Sequence, residues 1–186
     1  MTTADVIAAC ARTIGLPFLV IGGHAVIFHG YPRNTGDLDL LIRKADKDLW
    51  IKGLAPLEYH LHHEQEAFVQ FTAPESQEPL DLMLVNDPTF AGMLAAARVA
   101  DLGGTTVKLP CLDHLLMLKL HVLKHGPAWR RLGDLDDVIR LILANHLDIR
   151  TEPWRQRFVR YGTLELYEQV RHAVTGERAP GTDSGA

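Results

Sequence analysis

The sequence predicts an α/β or α+β core over about residues 1–110, a helical region over 111–175 and a short tail over 176–186. Short apolar runs alternate with amphipathic segments up to Pro110, which is the pattern of strands and helices sharing one sheet. From Leu112 the apolar spacing changes to a helical period and stays there. The closing stretch "TGERAPGTDSGA" is rich in Gly, Pro and small polar residues, so a disordered tail is expected.

Composition sets the outer limits. A chain of 186 residues, 47% hydrophobic and 23% charged, suits one or two compact globular units. A formal charge of −4 argues against a strongly basic, non-specific nucleic-acid binder, although it leaves room for a local basic patch. Cys10 and Cys111 have no metal-ligand or redox-pair spacing. The start "MTTADVIAACARTIG" lacks a charged leader, and no stretch approaches the roughly 18 apolar residues of a membrane span, so a cytoplasmic protein with no membrane association is expected.

The elements follow in order. Val6, Ile7, Cys10 and Ile14 predict an amphipathic helix over 3–14, closed by Gly15 and Pro17. "FLVI" (18–21) reads as a buried strand, and after Gly22-Gly23 "HAVIFH" reads as a two-turn helix ended by Gly30 and Pro32. "DLDLLI" (37–42) is the second strand and "ADKDLWIKGL" a surface helix. "AFVQFTA" and "PLDLMLV" are two strands joined by the turn-rich "PESQE". Beyond Leu112, "LDHLLMLKLHVLKHG" is a helix ending at Gly126-Pro127, "DLDDVIRLILANH" a second, and "EPWRQRFVRYGTLELYEQVRHAV" one or two more.

Three carboxylates stand out because each sits among apolar residues. Asp37 and Asp39 are two apart on a strand and so project to one face. Like charges that close repel, unless both are solvated or a divalent cation lies between them. Asp81 in "PLDLMLV" is a third acid embedded in an apolar strand; if the two strands are neighbours, all three converge. Such a set suits Mg²⁺, which takes hard oxygen ligands and substrate phosphates. The competing reading is that these acids guard sheet edges against aggregation.

Other residues point the same way. A Gly22-Gly23 turn between strand and helix lets backbone N–H groups approach an anion such as a triphosphate, or else serves close packing. At 100° per residue, Lys119 falls near the centre of the arc formed by Leu112, Leu115, Leu116, Val122 and Leu123. Its ammonium either snorkels out with its stem buried or reaches an anion. Asp134 is either the N-cap of the next helix or a site residue, and Arg131 either a surface residue or a phosphate partner.

The run Gly22-Gly23, Gly30, Arg33, Thr35, Asp37-Leu38-Asp39 resembles motif I of the nucleotidyltransferases of the DNA polymerase beta superfamily, with Asp81 in the position of that family's third acid. The later run "HLLMLKLHVLKHGPAWRRLGDLDDVIRLI" is similar to the helical part of the abortive-infection toxin-type branch: Lys119, Arg131, Asp134 and Asp137 match, and Gly133 replaces a lysine. The resemblance implies the nucleotidyltransferase fold, a mixed β-sheet flanked by helices, with a catalytic core at 1–110 and a helical region at 111–175 that completes the nucleotide cleft. It implies that Asp37, Asp39 and Asp81 hold two Mg²⁺ ions and that Asp81 helps activate an acceptor hydroxyl. By the same resemblance Gly22, Gly23, Arg33, Thr35, Lys119, Arg131 and Asp134 would serve the nucleotide, which would be ATP, CTP, GTP or UTP. Attack on the α-phosphate would release pyrophosphate. The acceptor would be a tRNA, a protein or a small molecule such as an antibiotic, and a cognate antitoxin would be a partner.

Other classes fit less well. Gly22-Gly23-x6-Gly30 is not the G-x-G-x-x-G of a dinucleotide fold, and Asp37 begins the second strand instead of ending it. A calcium loop starting at Asp37 would need Gly where Ile42 stands. His60, His62 and His63 read as exposed histidines more readily than as a zinc site. Arg150, Arg155, Arg157 and Arg160, interleaved with Trp154 and Phe158, form either a solvated face or an RNA contact. A non-catalytic nucleotide-binding or regulatory protein that kept the fold is the alternative from another class.

Overall fold

A computed structural model describes residues 2–126 and 131–176. The expected helix break at Pro127 and the expected disordered tail beyond Gly176 lie outside the described residues. The chain divides into two compact units, one holding the residues up to Phe28 with Pro32–Leu112, the other His29–Tyr31 with the residues from Asp113 onward. No helix among the described residues is long and apolar enough to cross a membrane.

The first unit begins with α1 (Thr3–Ile14), closed at its start by a reciprocal capping box between Thr2 and Asp5 and at its end by Gly15 in the left-handed conformation. There follow β1 (Leu19–Val20), α2 (Gly22–Phe28), β2 (Leu38–Arg43), α3 (Lys47–Leu54), β3 (His60–Glu64), β4 (Phe68–Thr72), β5 (Leu80–Val85) and α4 (Asp87–Ala95). A hairpin of β6 (Arg98–Leu102) and β7 (Thr105–Leu109) ends the unit. The five-stranded sheet runs β1-β2-β5-β4-β3. Within it β2 and β5 are parallel, while the other neighbouring pairs are antiparallel. This is the mixed, helix-flanked sheet that the sequence predicts.

One face of the sheet is the core. Leu38, Leu40 and Ile42 of β2, Leu80, Leu82 and Leu84 of β5, and Val69 and Phe71 of β4 are all buried. Alternation on β4 and β5 leaves the opposite face half-open, with Phe68, Gln70, Asp81 and Met83 partly exposed. Because side chains alternate, a slip of one residue would exchange these faces, so the burial pattern pins the register that the site depends on.

Several elements differ from the sequence reading. The expected surface helix α3 buries Trp50 and Leu54 completely, and the Phe18 ring meets Trp50 edge-on at 5.9 Å. The first strand shrinks to Leu19–Val20, although Ile21 N–H still donates to the Asp39 carbonyl at 2.9 Å. Helix α2 starts at Gly22, two residues before the expected start. Strand β3 escapes a pattern search because it is an edge strand with every residue exposed, so it has no apolar side to read. Helix α4 and the β6–β7 hairpin add to the expected elements; Asn86 caps α4 and Gly103-Gly104, both at positive φ, make the hairpin turn.

The second unit is helical: α5 (Leu112–His125, its first residue falling to the other unit), α6 (Arg131–Ala144), α7 (Glu152–Tyr161) and α8 (Leu164–Thr175). Leu116, Leu120, Val138, Leu141, Phe158 and Val170 are fully buried, and Phe158 packs edge-on to Tyr167 at 5.6 Å. His29–Tyr31 is held here by polar contacts, with Asn145 Nδ2 donating to the His29 carbonyl at 2.8 Å and the Tyr31 hydroxyl to Asp136 at 2.7 Å.

Trp50 is the largest fully buried side chain among the described residues. Trp50→Ala is therefore expected to lower the unfolding free energy by about 3–5 kcal/mol, read from the urea midpoint by circular dichroism. Trp50→Phe should cost distinctly less.

Candidate functional site

Asp39 and Asp81 stand directly opposite each other on the parallel pair β2 and β5. Asp37 immediately precedes β2, and carboxylate oxygens of all three acids lie within 4.8 Å of one another. Asp39 is buried, while Asp37 and Asp81 are half-buried. Both strands are interior to the sheet, so the edge-guard reading of these acids fails. Three carboxylates at this range repel, and the hard oxygen set they form suits Mg²⁺ or Mn²⁺ rather than a soft-ligand metal.

The surroundings hold each acid in place. The Thr35 hydroxyl donates to Asp37 Oδ1 at 3.1 Å. On β4, Gln70 lies opposite Asp81 and its Nε2 donates to Asp81 Oδ2 at 2.8 Å. Gly22 has φ +58°, and a Cβ there would sit 1.8 Å from Asp39 Oδ2. A Cβ on Gly23 would fall 2.4 Å from Thr35 Oγ1 and 3.0 Å from the Arg33 guanidinium. The glycine pair therefore lets the turn close onto Asp39 and Thr35, a packing role that any anion contact would share.

Gln70 was not singled out in the sequence. A polar residue between buried Val69 and Phe71 in "FVQFT" was the available signal, but its partner becomes visible only with the strand register.

In the helical unit Lys119 is buried, only 6% exposed, and its ammonium meets Asp134 Oδ1 at 2.8 Å and Asp137 Oδ2 at 2.6 Å. The lysine neither snorkels to solvent nor lacks an anion: two carboxylates of its own unit hold it. Asp134 lies inside α6, three residues past Arg131, so it is not the N-cap. Its Oδ2 is buried without a hydrogen-bond partner. Arg131, the first described residue of α6, is exposed.

The possible RNA face changes character. Arg150 pairs with Asp148 at 2.8 Å, Arg155 with Glu152 at 3.9 Å and Arg157 with Asp113 at 2.8 Å. Trp154 and Phe158 are buried in the helical core, which removes them as base-stacking platforms. Among the described residues, no group of three or more close ligand atoms includes His60, His62 or His63.

The fold is the nucleotidyltransferase fold. The antibiotic-resistance factor ANT(2'')-Ia, in complex with adenylyl-2''-tobramycin, superposes with a TM-score of 0.63 at 18% identity, over 85% of this chain and 96% of that one. An antigenic nucleotidyltransferase-like protein from Paracoccidioides brasiliensis gives 0.54 at 16% identity, over 94% and 91%. The lincosamide antibiotic adenylyltransferase LnuA, lincomycin-bound, gives 0.50 at 13% identity, over 73% and 93%. The sequence matches no protein-family model and no curated protein.

Two outcomes are expected. Lys119→Met strands buried carboxylates and should cost about 3–5 kcal/mol in chemical denaturation, whereas Asp134→Asn, which leaves Asp137 on the lysine, should cost less. Gly22→Ala combines a strained φ with the collision at Asp39, so Mn²⁺ binding measured by calorimetry should be lost together with several degrees of melting temperature.

Proposed function

We propose that the protein is a Mg²⁺-dependent nucleotidyltransferase that moves a nucleoside monophosphate from an NTP to an acceptor hydroxyl and releases pyrophosphate. The observation that carries this reading is the convergence of Asp39 and Asp81, on two interior strands of a nucleotidyltransferase fold, with Asp37 just before the first of them. The three acids would hold the cation, which when bound supplies Lewis-acid neutralisation of triphosphate charge. Thr35 keeps Asp37 in place, and the side-chain-free turn at Gly22-Gly23, backed by Arg33, admits the phosphates.

Asp81 takes the proton of the acceptor hydroxyl. The acceptor oxygen bonds to the α-phosphorus while the bond from that phosphorus to the bridging oxygen breaks, its electron pair leaving with pyrophosphate. Lys119, Arg131 and Asp134 are the nucleotide residues assigned to the helical unit. Two carboxylates already hold the Lys119 ammonium, so a phosphate contact would add to an ion pair that its own unit requires.

A small-molecule hydroxyl is the first acceptor to test, supported by the adenylyl-2''-tobramycin on ANT(2'')-Ia and the lincomycin on LnuA and by the acid pairing of Arg150, Arg155 and Arg157. The resemblance of the Lys119 to Asp137 segment to the toxin-type branch supports tRNA or protein, with a cognate antitoxin, as the second.

Incubation with each labelled NTP and aminoglycosides, lincosamides, tRNA or a protein extract should place label in one acceptor class, with pyrophosphate released. Asp39→Asn should lower that release by more than about a hundredfold. Nucleotide binding without pyrophosphate release for any acceptor would instead favour a non-catalytic nucleotide-binding protein.

A further inference from the structure

We propose that Gln70 is a positioning residue of the metal site, its side-chain amide fixing the orientation in which Asp81 joins Asp37 and Asp39; the inference rests on the function proposed above. The pairing is set by the sheet itself. Gln70 and Asp81 are direct partners across antiparallel β4 and β5, a placement that brings two side chains together on one face. Val69 and Phe71 are buried on the other face, so β4 cannot turn Gln70 away without exposing core.

Chemistry fixes which end of the amide faces the acid. An ionised carboxylate only accepts, so the NH₂ group must point at it, and Nε2 lies 2.8 Å from Asp81 Oδ2. Such a charge-assisted bond, half-shielded from water, holds a carboxylate more firmly than a neutral one would. Side-chain charge also matters at this position. Lysine or arginine would neutralise Asp81 and compete with a cation, and glutamate would add a fourth negative charge. Glutamine orients the ligand and leaves the charge of the set unchanged. Thr35 does the same for Asp37 at the other end of the cluster, again with a neutral donor. Outer partners of this kind typically govern metal affinity by about ten- to a hundredfold.

The test is a double-mutant cycle on the full chain, read by calorimetric titration with Mn²⁺ alone. Gln70→Met keeps the length and removes the donor; Gln70→Ser is the second variant should the first not fold. Gln70→Met should weaken Mn²⁺ binding about tenfold in the parent and cause no further loss in an Asp81→Asn background, because the two residues act as one unit. Parent-like affinity in Gln70→Met, or an equal loss in both backgrounds, overturns the inference while leaving the proposed function standing. If the parent itself binds no Mn²⁺, the metal reading falls first and this one with it.

Discussion

The parallel pairing of β2 with β5 is the constraint on which the rest of the first unit depends. It sets Asp39 against Asp81 in the interior of the sheet, where neither acid can relieve repulsion by moving to an edge. Parallel neighbours cannot be joined by a tight turn. The chain between them makes α3, β3 and β4 before returning, so the crossover also builds the strand that carries Gln70. The site and its support arise from one topological requirement.

Close packing at the acids then dictates the smaller choices around them. A residue with a side chain at Gly22 would overlap the Asp39 carboxylate, and one at Gly23 would displace the Thr35 hydroxyl that holds Asp37. The Gly-Gly pair, the threonine and the acids are therefore a single geometric unit. This gives the glycines a reason to be there that does not depend on any ligand. A nucleotide role, where it exists, is added to a turn already required by packing.

What could be read from the sequence follows from the range of the interactions. Interior strands announce themselves because both their apolar alternation and their out-of-place acids are local: β2, β4 and β5 lie within a residue or two of their expected bounds. Strand β3 carries no such signal, since an edge strand with five exposed residues looks like loop. The convergence of Asp37, Asp39 and Asp81 was legible on the condition that two strands were neighbours, and the structure meets it. Gln70 was not legible, because its meaning lies in a cross-strand partner eleven residues away that only the register reveals. Arg155 and Arg157 likewise looked like a basic face until their acids, one on the same helix and one on α5, were in view.

Lys119 shows the same division between position and partner. A charge centred on an apolar helical arc has to be compensated, and periodicity locates it without naming what compensates it. Here Asp134 and Asp137, three apart on α6, present to one side of that helix and enclose the ammonium. Asp134 Oδ2 is buried without a hydrogen-bond partner, so that carboxylate is held through its other oxygen, which meets Lys119. Buried ion pairs add little stability over apolar residues of similar size, yet removing one partner strands the other, so the three residues stay together through the cost of separating them more than through a net gain from pairing.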